Sequence, residues 1–155
     1  MDETIEARLA RLGVELPSAA APAANYVPFV RHSDILYVSG QLPVSARSVE
    51  YRGRLGDSVS VEDGRRAARL CAINVLAQAK AALDGELERI RRIVRITGFV
   101  ASAPNFSEQH LVVNGASDFL VEALGDRGRH ARAAVGVASL PLDAAVEVDA
   151  IIAVA

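Results

Sequence analysis

Arg132, Glu147 and Asp149 are ionic groups set into two segments that otherwise read as buried strand, HARAAVGVAS at 130–139 and VEVDAIIAV at 146–154. A charge placed among Ala, Val, Gly and Ile is costly unless it is paired or hydrogen-bonded. A guanidinium among small neighbours offers a planar fork of donors that matches a carboxylate. A carboxylate beside it can take a proton from a water molecule. Spacing alone leaves two readings open: the groups satisfy protein partners, or they wait for a ligand. In a strand, residues 132, 134 and 136 share one face, so Arg132 stands with Ala134 and Gly136. A tight hairpin through Pro141 would put Glu147 opposite Gly136. It would then lie on the face of Arg132, four residues along and roughly 13 Å away, too far for a direct ion pair. Asp149 reads as a solvated acid near a strand end.

Other chemistries find less support. His32, His110 and His130 lack metal-ligand spacing, and Cys71 is the only cysteine, so no metal and no internal disulfide are expected. Cys71 lies inside a helical pattern and reads as a buried, inert thiol. No GxSxG elbow, P-loop or GxGxxG is present. Asn114 falls on the side of its helix opposite Val112 and by pattern alone is a polar surface residue.

The elements that position these groups follow from periodicity. A short amphipathic helix over 2–13 ends at Gly13, and PSAAAPAA at 17–24 is a linker. Strands are expected at Tyr26–Arg31 and Ile35–Ser39, then a loop over 43–57 with room for an irregular strand. A helix over 61–84 opens with Ser60 and Asp63 as a capping box and closes at Gly85. A strand covers 92–102. A second helix is capped by Asn105 with Glu108, and Gly125 and Gly128 break it. The last strands span 131–139 and 145–154. The order β-β-α-β-α-β-β gives one α+β domain with both helices on one face of a single sheet. The other face then needs cover, which points to further copies of the chain.

The 155 residues are 51% hydrophobic and only 5% aromatic, which suits a close-packed core of small and β-branched side chains. A formal charge of −2 gives no basic field for nucleic acid or anionic lipid. The acidic start MDETIEARLARLG is no signal peptide, and no apolar run is long enough to span a bilayer, so a cytoplasmic protein without membrane or nucleic-acid partners is expected.

From Asn25 to Ala155 the chain resembles the RidA/YjgF family, also labelled endoribonuclease L-PSP-like. The closing segment carries most of the likeness: A-R-x-x-V-x-V-A-x-L-P-x-D-x-x-V-E-V-D-A-I, from Ala131 to Ile151. YVSGQLPV at 37–44 is similar to the family's S-G-Q-[IL]-P segment. Tyr26 and Asn114 fall where the family has a tyrosine and an asparagine. The resemblance implies a chorismate-mutase-like fold with a mixed sheet, assembled as a homotrimer with sites in the clefts between subunits. It implies hydrolysis of small 2-imino acids to 2-oxo acids and ammonia without a cofactor. Arg132 would bind the substrate carboxylate, helped by the backbone N–H of Ala134. Glu147 would orient or activate water, and Tyr26, Ser39 and Asn114 would line the pocket. A binding module that senses a 2-oxo acid in the same cleft is the alternative, and an endoribonuclease fits the charge poorly. Ala134 replaces a cysteine common in the family, and NYVPF replaces G-P-Y-S-Q. These departures, with residues 1–24 as an extension before a domain over 25–155, mark a side branch.

Overall fold

The computed structural model describes residues 2–22 and 24–155, so Ala23 of the expected 17–24 linker lies outside the described residues. Helix α1 (Ile5–Arg11) is shorter than the expected 2–13, and Thr4 caps it through the Ala7 N–H. Gly13 takes the left-handed conformation just after it. Ile5 and Leu9 are buried in the main core, which is worth about 1.5–3 kcal/mol for each side chain. The Ile5 N–H donates to Glu88 Oε1 at 2.6 Å, and Glu88 also pairs with Arg127 at 3.0 Å. The N-terminal helix is therefore seated on the body of the fold.

Strand β1 (Phe29–His32) starts three residues after the expected Tyr26, because Pro28 has no N–H to give to a ladder. It pairs antiparallel with β2 (Ile35–Gln41). A small hairpin, β3 (Val44–Ser45) with β4 (Ser48–Val49), occupies part of the expected 43–57 loop. Helix α2 (Val61–Ala82) is capped as its sequence predicts: Ser60 Oγ accepts from the Asp63 N–H at 3.1 Å. Strand β5 (Ile90–Ala101) follows. Helix α3 (Gln109–Leu124) begins later than an Asn105 cap requires. Pro104 and Asn105 instead form the centre of a turn closed by the Phe106 N–H on the Ala103 carbonyl. The two long helices touch closely: a Cβ on Gly115 would strike the Arg65 carbonyl. Strands β6 (Ala131–Val137) and β7 (Val146–Val154) complete the chain.

The five-stranded mixed sheet runs β1-β2-β7-β5-β6. The expected β6–β7 hairpin does not form. Strand β5 lies between them, parallel to β6 and antiparallel to β7. Its end serves both neighbours: the Ala101 N–H donates to the Ala145 carbonyl and the Ser102 N–H to the Val137 carbonyl. The 138–145 connection, with Leu142 and Asp143 left-handed, carries the chain past the end of β5 rather than reversing it in the sheet plane. Helix α3 supplies the crossover that a parallel β5–β6 pair demands.

One face of the sheet packs on the helices through Val146, Val148, Ala150, Ile152 and Val154 of β7 and Ile93, Ile96 and Val100 of β5. The other face is bare in the single chain. Val30, Tyr37 and Val135 are 51%, 47% and 41% exposed there. No helix of the described residues is long and apolar enough to cross a membrane.

Candidate functional site

Cross-strand registers settle which residues share a face. Arg132 pairs with Ile96, and Ile96 with Ala150, so Arg132 ends a row that faces the helices. Helix α3 receives it: Nη1 donates to Ser117 Oγ at 3.0 Å and Nη2 to the His110 carbonyl at 3.0 Å. No carboxylate neutralises Arg132 among the described residues. Asn114 lies between His110 and Ser117 at helical spacing, on the stripe turned toward Arg132, and is half-buried. Its sequence pattern reads as surface because β6 is not yet known to run alongside it. The bond from Ser102 to the Val137 carbonyl fixes the direction of the β6 backbone. Odd-numbered residues point their N–H and C=O at β5. Arg132, Ala134 and Gly136 turn theirs to the free edge of the sheet. Ala134 thus offers a main-chain N–H at the free edge of the strand that carries Arg132.

Glu147 stands elsewhere. It pairs with Phe99, and Phe99 with Val135, a row on the bare face. Gly40 lies directly against it, so close that a Cβ there would collide with Glu147 Oε1. Gly40 and Ser39 sit in the register shift between Val38 and Gln41. Ser39 Oγ donates to the Val27 carbonyl at 2.8 Å, tying the segment that carries Tyr26 to this loop. Gln41 Nε2 donates to the Ser39 carbonyl at 3.0 Å, and Gln78 Nε2 donates to Gln41 Oε1 and to the Ala20 carbonyl. On the same bare face a depression of about 310 Å³ is lined by Tyr37, Ser39, Arg95, Thr97 and Asp149, without Glu147 itself. Burial, and secondly the nearby Asp149, push the Glu147 carboxyl above its usual range. Among the described residues its carboxylate has no hydrogen-bond or ionic partner. Asp149 is not simply solvated: its Oδ1 accepts from the Thr97 N–H at 3.1 Å.

The site residues therefore fall into two groups. Arg132, Asn114 and Ala134 form one at the sheet edge under α3. Tyr26, Ser39 and Glu147 belong to the other, on or beside the bare face. The expected shared face of Arg132 and Glu147 is overturned by the insertion of β5. Two strand spacings and about three residues of rise separate their backbones, roughly 14 Å, with the side chains on opposite sides. One chain cannot bring them together.

Sequence reasoning missed Ser117 and His130. His130 Nε2 lies 2.9 Å from Ser117 Oγ, and Nδ1 meets the Gly128 carbonyl. The available signals were the i, i+4, i+7 spacing of His110, Asn114 and Ser117 and the shared strand parity of His130 with Arg132. Cys71 is fully buried, and burial drives its thiol well above the ordinary range, as an inert core residue requires. No group of three His, Cys, Asp or Glu side chains that could hold a metal occurs among the described residues.

Comparison with known proteins follows the same lines. The family model described as "YjgF/chorismate_mutase-like, putative endoribonuclease" matches residues 6–153. Protein TCP17 of Trypanosoma cruzi is 52% identical over 149 residues, covering 96% of this chain and 92% of that protein. The crystal structure of protein Atu1372 from Agrobacterium tumefaciens is similar with 55% identity and a TM-score of 0.92, covering 97% of this chain and 92% of that one. A "putative endoribonuclease" from Shewanella oneidensis MR-1 has 36% identity and a TM-score of 0.94, covering 98% of this chain and all of that chain.

Proposed function

Because this chain belongs to the YjgF/chorismate mutase-like family, we propose that it hydrolyses small 2-imino acids to 2-oxo acids and ammonia in clefts between the subunits of a homotrimer. The observation that carries this reading is the state of Arg132. A guanidinium at a sheet edge, held by a hydroxyl and a carbonyl but by no acid among the described residues, keeps its charge for an incoming carboxylate.

The chemistry needs little else. A protonated imine is already electrophilic. Arg132 and the Ala134 N–H hold the carboxylate, and orientation lowers the barrier. Water adds to the imine carbon and passes a proton to Glu147. Glu147 returns that proton to the carbinolamine nitrogen, the C–N bond breaks as the C=O forms, and the hydroxyl proton leaves with the ammonia. One water is consumed and no electrons are exchanged with a partner. An unpaired, half-buried carboxylate with a raised pKa suits a general base. Tyr26, Ser39 and Asn114 line the cleft. Since Arg132 and Glu147 lie on opposite faces of one sheet, each cleft takes Arg132 from one copy and Glu147 from the next. The bare face, with Val30, Tyr37 and Val135 exposed, supplies surface for that assembly.

The test is release of 2-oxobutyrate from 2-iminobutyrate generated in solution by an amino-acid oxidase. Wild type should accelerate it, and Arg132→Lys should abolish the acceleration, because a lysine cannot reproduce the fork. Wild-type turnover in Arg132→Lys would remove the assignment. Binding of 2-oxobutyrate without turnover would select a metabolite-sensing role for the same cleft.

A further inference from the structure

The hydrogen bonds around Arg132 have fixed directions. The Gly128 carbonyl only accepts, so His130 Nδ1, which meets it, must carry the ring proton. In the neutral ring Nε2 is then an acceptor, and Ser117 Oγ at 2.9 Å gives its proton to it. The Ser117 oxygen is left with lone pairs toward Arg132 Nη1 at 3.0 Å. The second amino group, Nη2, is held by the His110 carbonyl. Both terminal nitrogens are thereby anchored to α3, while each keeps one hydrogen and Nε–H stays uncommitted.

We propose that His130 and Ser117 are positioning residues: they lock the Ser117 hydroxyl as an acceptor and so fix the Arg132 guanidinium in the pose that receives a substrate carboxylate. The proposal rests on Arg132 being the carboxylate receptor described above. Its parts are rigidly founded. A Cβ on Gly128 would strike the Leu120 carbonyl, so the turn is pressed onto the end of α3. Arg127, next to it, is bound to the Glu88 carboxylate and the Ile90 carbonyl. Burial, with a further push from the charge of Arg132, lowers the His130 pKa against the opposing bond from Gly128. The ring is thus kept in the neutral form that the relay requires. A long, rotamer-rich arginine at a strand edge would otherwise lose conformational freedom each time it bound a ligand. Fixing it beforehand moves that loss from binding to folding.

Steady-state kinetics on 2-iminobutyrate, with calorimetric titration of 2-oxobutyrate, test the relay in the full-length protein. Ser117→Ala should raise KM and the 2-oxobutyrate Kd by about tenfold, the effect of one lost bond to a charged group, with kcat nearly unchanged. Ser117→Thr, which keeps the hydroxyl, should restore most of the affinity. His130→Gln, whose amide oxygen can accept the Ser117 proton, should bind more tightly than His130→Ala. An NMR titration of His130 should show its pKa rising in Arg132→Ala, where the neighbouring charge is gone. Unchanged KM and Kd in Ser117→Ala, or a Ser117→Thr variant as impaired as the alanine, would overturn the relay while leaving Arg132 in place. If Arg132→Lys itself turns over normally, the deaminase reading falls, and the relay falls with it.

Discussion

Single residues carry the sharpest tests. Gly40 leaves room for the Glu147 carboxylate and nothing more. In Gly40→Ala the colliding atom is the end of a flexible side chain, so the carboxylate swings away at small structural expense. The variant should lose stability by less than about 1 kcal/mol in urea titrations, yet its kcat should drop roughly tenfold or more. The base role proposed for Glu147 also predicts a pH dependence. As a base it must be ionised, and its pKa lies above the ordinary value, so kcat/KM should fall on acidification through a pH above the usual carboxylate range. Stability runs in the opposite sense. A carboxyl whose folded pKa is raised contributes its full share only below the unfolded pKa, and that share disappears as pH rises through the folded one. Glu147→Gln should therefore be more stable than wild type at about pH 7 and equal to it at about pH 4, as compared by urea unfolding at each pH.

At the scale of elements, α1 is an integral part of the packing. Leu9→Ala should cost about 2–4 kcal/mol in chemical denaturation, as for other large-to-small core changes; a loss below half that would mean α1 is only loosely seated. The elements were largely legible in the sequence. Ser60 and Asp63 announced α2, and the β-branched run before Pro104 announced β5. The S-G-Q and A-R-x-x-V segments marked two of the places where function is sought. What could not be read was the partner of each strand. Periodicity fixes the face of a residue within its own strand, but the decision to put β5 between β6 and β7 belongs to the crossover through α3. That one decision moved Glu147 from the face of Arg132 to the opposite one. It also turned Asn114 from apparent surface to a neighbour of the guanidinium, and it brought in Ser117 and His130, which no motif announces.

For the whole molecule, the two-group arrangement makes a prediction that no single variant can. If each cleft joins Arg132 of one copy to Glu147 of another, inactive Arg132→Ala and Glu147→Gln chains should complement when co-assembled. Random mixing in equal amounts leaves about a quarter of the clefts with both native residues, so about a quarter of wild-type activity should return. Persistent inactivity of the mixed assemblies would show that the clefts are not shared in this way. Light scattering should report a trimer for wild type. Tyr37→Asp, which puts a charge in the middle of the bare face, should dissociate it.

Strand β6 lies at the border of the sheet, and its even-numbered residues leave their main-chain groups unclaimed by β5. Apart from Arg132, its sequence ARAAVGV is uncharged, short-branched and rich in valine and alanine. Such a border invites stacking by foreign strands, and a single inward-leaning cation is one of the ways proteins repel it. By that reasoning the charge of Arg132 should oppose fibrous self-association. A neutral replacement there should lower solubility, measured as turbidity on concentration, whereas lysine, which keeps the charge, should not.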